Sequence, residues 1–163
     1  MTPGLRIQQV DHRSPEVAAQ IHAVQMAAYA QEAELLGAVF FPPIHRTVGD
    51  IRALDEVFLA AFASDALTGA VSVWPDPEGM GTNIASLVVS PQSQRRGIGA
   101  SLMESVVAAH ASGDITVQTG ARNFPALSLY SQFGFVEIRR WFVGREPLEL
   151  VKLLRVPRDR PSS

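Results

Sequence analysis

The chain has no cysteine among its 163 residues. That excludes a disulfide framework, a cysteine-based zinc site and a thiol nucleophile. Charge of one sign is not in surplus either: 14 lysines and arginines face 16 aspartates and glutamates, for a net charge of −2. Tight binding to nucleic acid needs a basic surface that displaces counterions, so no nucleic-acid partner is expected. No apolar run reaches the roughly 18 residues of a membrane span. The opening MTPGLRIQQVDHRSPE also lacks the apolar core of a secretory signal. Together these absences predict a cytoplasmic protein with no membrane partner. His12, His22, His45 and His110 show no HExxH spacing and no clustered carboxylates, so no metal is expected.

What is present is enough to build a core: 47% of residues are hydrophobic and 18% charged, a globular rather than a disordered composition. The length favours a single domain, read over residues 1–156, with a flexible C-terminal tail over 157–163. No internal repeat or linker divides the chain. LRIQQV (5–10) reads as a strand. Ser14-Pro15 opens a helix to about residue 35, with Val17, Ile21, Val24, Ala28 and Leu35 at near-helical spacing and Gly37 to end it. Pro42-Pro43 then interrupts regular structure. VFLAAF (57–62) and LTGAVSVW (67–74) read as a hairpin turned at Ser64-Asp65, and NIASLVV (83–89) as a strand buried in mid-sheet. A helix over 97–110 carries Ile98, Leu102, Val106 and Ala109 on one face. A strand ITVQTG (115–120), a short helix over 125–132 and two late strands around a Gly144–Pro147 turn complete an α/β layered domain.

The informative stretch is SLVVSPQSQRRGIGASLMESVVAAH (86–110), where a basic, glycine-containing turn joins a buried strand to a helix. A helix N-terminus offers free N–H groups and the positive end of the helix dipole, a natural seat for phosphate. Gly97 and Gly99 clear side chains from it, and Arg95 and Arg96 add charge. The same residues also suit a plain strand-to-helix turn with a solvated arginine pair. A P-loop is excluded because no GxxxxGK[ST] run exists. The dinucleotide fingerprint fails because Leu102 stands where its third glycine belongs.

Gln94-Arg95-Arg96-Gly97-Ile98-Gly99-Ala100 matches the Q/R-x-x-G-x-G/A signature of the GNAT superfamily of acyl-CoA-dependent N-acyltransferases. A second stretch, Asn123-Phe124-Pro125-Ala126-Leu127-Ser128-Leu129-Tyr130-Ser131-Gln132-Phe133-Gly134-Phe135, matches that family's N-x-x-A-x-x-L-Y-x-x-x-G-F pattern. With two motifs in the right order and the strand order in agreement, the chain resembles this superfamily over residues 5–155. The resemblance implies the GNAT fold: a mixed, mostly antiparallel sheet of about seven strands, helices on both faces and a central V-shaped splay that binds acyl-CoA.

It further implies an acetyl-CoA-dependent N-acetyltransferase, with the pyrophosphate on the amides of residues 96–100 and Gln94 and Ile98 in the same turn. The pantetheine arm would lie beside Leu87, Val88 and Val89, with Asn123 and Ser128 contributing from the second motif. Tyr130 matches the family tyrosine that protonates the departing sulfur; the alternative is a tyrosine that merely packs. Many members carry a carboxylate on the central strand, but here that strand begins Asn83-Ile84-Ala85-Ser86. A base must then be water or an acid elsewhere, such as Glu32, Glu34 or Glu137. By resemblance the amine acceptor, a small molecule or a protein, meets Tyr29, Glu32, Glu34, Phe41, His45 and Arg46, although the phenylalanines also suit the core. A homodimer stays open. A non-catalytic acyl-CoA sensor or interaction module is the alternative function.

Overall fold

The computed structural model describes residues 4–38, 42–145 and 148–158. Phe40, Phe41 and Pro147, and the expected tail beyond residue 158, lie outside the described residues. The elements in chain order are β1 (Leu5–Val10), α1 (Pro15–Leu36), a 3₁₀ turn (Pro42–His45), α2 (Val48–Arg52), β2 (Val57–Ala63), β3 (Ala66–Pro75) and β4 (Thr82–Val89). A second 3₁₀ turn (Pro91–Ser93), α3 (Ile98–Ala109), β5 (Ile115–Gly120), α4 (Phe124–Gln132), β6 (Val136–Val143) and β7 (Leu148–Arg155) follow. The short α2 forms after the two prolines because Thr47 and Asp50 cap it reciprocally: Asp50 N–H donates to Thr47 Oγ1 at 3.1 Å and Thr47 N–H to Asp50 Oδ2 at 2.8 Å.

The seven strands form one sheet in the order β1-β2-β3-β4-β5-β7-β6. Every pair is antiparallel except β4 and β5, which are parallel and joined through α3, as a crossover helix allows. One apolar cluster lies under α3 and α4, around Ile84, Leu102, Val106, Ile115, Val117 and Val151. The other lies under α1 and α2, around Ile21, Ile51, Phe58, Phe62, Ala70 and Val88. The buried stripe of α1 is Ala18, Ile21, Val24, Gln25, Tyr29, Ala33 and Leu36. It is rotated from the stripe expected from Val17 to Leu35, because Leu35 remains exposed and two polar side chains, Gln25 and Tyr29, take inward positions.

The β4–β5 pair positions the site. Its register covers Thr82↔Ile115, Asn83↔Thr116 and Ile84↔Val117, then stops. From Ser86 to Val89, β4 stays paired with β3 but has no partner on the β5 side. A bulge near Ser72/Val73 in the β3–β4 ladder marks the place where the two strands begin to part, as bulges bend a strand locally. This is the splay that the sequence resemblance implies.

The paired end is held by buried polar groups. Trp74 Nε1 donates to Asn83 Oδ1 at 2.9 Å, and Asn83 Nδ2 to Thr116 Oγ1 at 2.9 Å. Thr116 Oγ1 donates to Asp76 Oδ1 at 2.6 Å, and Lys152 Nζ, on a residue only 1% exposed, lies 3.0 Å from that oxygen. Burial alone would raise the Asp76 pKa. Hydrogen bonds from Thr116, the Met80 N–H, Lys152 and the Glu78 N–H outweigh it and hold the carboxyl at about 2.

Candidate active site

Where β4 and β5 part, a slot of about 720 Å³ opens. One wall is Leu87, Val88 and Val89 of β4, one end is the turn before α3 with α3's first residues, and the far side is Asn123 with Ala126, Leu129 and Tyr130 of α4. The remaining wall is α1, through Ala28, Gln31, Glu32 and Leu35 with Tyr29 beside them. Those four positions have the i, i+3, i+4, i+7 spacing of one helix face. That spacing is the signal in the sequence that would have found Gln31 and Leu35, which the motif comparison missed. It also explains why Glu34 is not there: two residues from Glu32, it points away and is exposed.

The turn before α3 earns its glycine by conformation. Gly97 is the N-cap of α3 at φ 78°, and Arg95 is also left-handed at φ 64°. Alternating left-handed residues curl successive N–H groups toward a common point, the geometry of an anion nest. A Cβ on Gly97 would meet nothing within 4 Å, so its role is the positive φ and an open approach to the helix end. Gly99 is different: its Cβ would sit 3.3 Å from Leu129 Cδ2, so this glycine lets α4 pack close to α3. Gln94 Nε2 donates to Gln31 Oε1 at 2.7 Å and to the Val89 carbonyl at 3.4 Å, tying the turn to α1 and β4.

The structure therefore brings together Leu87, Val88, Val89, Gln94, Arg95, Gly97, Ile98, Gly99, Ala100, Asn123, Tyr130, Tyr29 and Glu32 on one slot. Three expected residues fall elsewhere. Arg96 lies on the other shoulder of the turn, in a groove with Leu5, Ile7, Ser101, Glu104 and Ser105. Ser128 is exposed on α4, and Glu34 is exposed on α1. Phe41 lies outside the described residues. Of the other residues considered, His45 is exposed, Arg46 accepts through its carbonyl from His22 Nε2 at 2.8 Å, and Glu137 is paired with Arg140 at 2.6 Å on the surface. Ser86, unassigned by the motifs, is buried on β4 with its Oγ 2.7 Å from Ser72 Oγ.

Asn123 does two jobs at the start of α4. Its Oδ1 accepts from Ala126 N–H at 3.3 Å and caps the helix. Its Nδ2 points into the slot, 3.3 Å from Glu32 Oε1 and 3.4 Å from Thr119 Oγ1. Tyr130, 5% exposed, packs its ring 5.7 Å from that of Phe135. Burial, then the Glu32 carboxylate and Tyr29, push the Tyr130 hydroxyl above its ordinary pKa. Burial likewise raises Glu32, opposed by the hydrogen bond from Asn123. Tyr29 is raised by burial against the opposing charge of Arg46. All three groups keep their protons more firmly than they would in water.

The acetyltransferase (GNAT) family model matches residues 21–135. The chain belongs to this family. The match runs from α1 through α4 and so contains the slot. A curated relative, the UPF0157 protein YqkA of Bacillus subtilis (strain 168), is 35% identical over 130 residues, 79% of this chain. The chain spans only 37% of that relative's length. Among solved structures, YncA from Salmonella typhimurium with its cofactor acetyl-CoA superposes with a TM-score of 0.72 at 15% identity, covering 98% of this chain and 97% of that one. An aminoglycoside 6'-N-acetyltransferase complexed with coenzyme A gives 0.72 at 16% identity, covering 96% and 99%. At these identities the structural likeness shows a shared fold. The GNAT sheet of this chain is the seven-stranded one described above. Among the described residues no helix is long and apolar enough to cross a membrane, and no group of three or more metal-ligating side chains is found.

Proposed function

We propose that this chain moves the acetyl group of acetyl-CoA to a primary amine by direct attack in a ternary complex. One observation carries the reading: the α3 N-terminus and the Tyr130 hydroxyl belong to the same slot, which opens where β4 loses its partner. The slot fits the cosubstrate in kind. Its strand wall is lined by Leu87, Val88 and Val89 and offers backbone with no β5 partner among the described residues, and its turn end carries Arg95, Gly97 and Ile98. The turn would hold the pyrophosphate, β4 would take the pantetheine arm as an added strand, and the thioester would supply the activated acyl group.

Tyr130 would then act where the sulfur departs. A phenol with a raised pKa stays protonated at neutral pH. It is a weaker acid than a thiol, whose ordinary pKa is about 8.5, so it cannot donate at equilibrium without help. Donation becomes favourable when the phenolate recovers a proton from the acylated nitrogen, making Tyr130 a relay. With no cysteine in the chain, a thiol-bound acyl intermediate has no place.

The acceptor end has an apolar wall in Ala28 and Leu35 and an acidic edge in Glu32. Such a pocket suits a small primary amine with an apolar body rather than a polybasic peptide, whose remaining cations would have no partners there. Calorimetry with CoA, followed by kcat/KM for aliphatic and aromatic amines and for lysine-rich peptides, tests the reading. Acetylation of the apolar amines supports it. Binding of acetyl-CoA with transfer to no amine would replace it with the sensor function.

A further inference from the structure

We infer that Glu32 is the proton acceptor for the incoming amine, held in place by Asn123. This rests on the transferase reading above and deepens it. The central strand, where an acid is commonly found in this family, supplies none: β4 presents Asn83 and Ser86 as its buried polar residues. Asn83 is committed to Trp74 and Thr116, and Ser86 to Ser72. Among the described residues, Glu32 is the one carboxylate lining the slot. It comes from α1 and shares the slot with β4 and Tyr130.

Three features suit it to the role. First, it is oriented: Asn123 Nδ2 lies 3.3 Å from Oε1, and Asn123 is itself fixed by capping α4 and by Thr119. A base oriented by a third group is the usual arrangement for activating a nucleophile. Second, among the described residues no cation is paired with it. The titratable groups facing it are Tyr29 from its own helix and Tyr130 from α4, and the slot's basic side chain, Arg95, comes from the turn before α3. Arg46 and Glu56 act on Tyr29. Third, burial lifts its affinity for a proton, moving it toward the working range of a general base.

The proton balance closes. The ammonium gives one proton to the Glu32 carboxylate. The freed nitrogen pair forms the N–C bond to the thioester carbon. The C–S bond breaks with its electron pair going to sulfur, which takes the Tyr130 proton. The phenolate recovers a proton from the acylated nitrogen, and Glu32 releases its own to solvent. The products are the amide, the free thiol and one proton.

The experiment compares wild type, Glu32→Gln and Glu32→Asp by three readouts: CoA affinity by calorimetry, kcat/KM across pH, and carbon-13 NMR titration of the Glu32 carboxyl. Glu32→Gln should keep CoA affinity within about twofold and lose on the order of 10²–10⁴ in kcat. The acidic limb of its pH profile should vanish. Glu32→Asp should keep that limb at a lower rate, which a residue that only shapes the pocket would not do. In wild type, the carboxyl should titrate above the ordinary glutamate range, in step with that limb. A Glu32→Gln variant with near-normal kcat and an intact acidic limb, in a protein that does acetylate amines, overturns the base alone. A wild type that acetylates no amine overturns the transferase reading and the base with it.

Discussion

At the Thr82 end of the β4–β5 pair, the strands are in register and Asn83, Thr116, Asp76 and Lys152 bond to one another in the interior. At the Val89 end the same two strands have parted, and β4 is left with backbone facing a slot. The closed end satisfies its polar groups internally and makes the geometry rigid. The open end leaves β4 backbone facing the slot. One requires the other: strands held firmly at one end can diverge at the other without the sheet failing, because buried polar groups that are all paired specify a single arrangement.

The comparison breaks most sharply at Lys152. Removing one member of a buried ion pair leaves an uncompensated charge, typically at a cost of roughly 3–5 kcal/mol. Lys152→Met should therefore lower the urea midpoint severely, while the protein that remains folded keeps its affinity for CoA. The same network makes stability depend on pH. Asp76 titrates at about 2 in the folded chain, below its ordinary value near 3.9. Its contribution is thus fully present above about pH 4 and is lost as pH falls toward about 2. The difference in urea stability between wild type and Asp76→Asn should shrink across that window. A constant difference would mean the carboxylate is not what matters there.

At the open end the corresponding break is Tyr130→Phe. It should keep CoA affinity and slow transfer by about 10²–10⁴-fold, or roughly 3–5 kcal/mol of barrier. Stability should change little, because the ring still packs on Phe135. A wild-type kcat would reduce Tyr130 to packing. Gly97→Val comes next. A side chain at φ 78° costs about 1–2 kcal/mol in the left-handed region, more for a β-branched residue. The turn can escape that strain by rotating its amides away from the ligand. CoA affinity should fall roughly tenfold, with the urea midpoint nearly unchanged. Undiminished affinity would sever the turn from CoA binding.

How much of this was legible in the sequence follows from distance along the chain. The strands and the longer helices were readable because each carries its own periodicity and its own turn residues, from Gly37 to Ser64-Asp65, whereas the five-residue α2 is too short to show a period. The Gly97 turn was readable because its left-handed conformation is set by neighbouring residues. The splay was not visible in β4 or β5 alone, since it is a fact about their pairing; it entered only through the family resemblance. The closed-end network was also hidden. Lys152 interrupts LELVKLLR, a lysine at a core position, but its partners Asp76 and Glu78 come from a distant loop. Within the site, closeness in sequence misled. Glu34 was grouped with Glu32, and Arg96 with Arg95, whereas a helix and a left-handed turn send neighbours in different directions.

That last contrast gives the smallest and finest prediction. Arg95 lines the slot and holds a left-handed backbone at φ 64°, whereas Arg96 faces the groove beside Glu104. Both are exposed, so solvent and salt weaken whatever they offer a phosphate. An exposed charge pair is worth about 0.2–1 kcal/mol, so Arg95→Ala should weaken CoA binding by no more than about fivefold. Arg96→Ala should weaken it less. The Arg95 effect should also fade as salt rises, since the Debye length shortens to about 3 Å at 1 M. Arg95→Gly sharpens the test: it removes the guanidinium but relieves the left-handed strain. It should therefore stabilise the fold relative to Arg95→Ala while binding CoA no better. Equal losses for Arg95→Ala and Arg96→Ala would mean that the turn reorients on binding and brings both arginines to the phosphates.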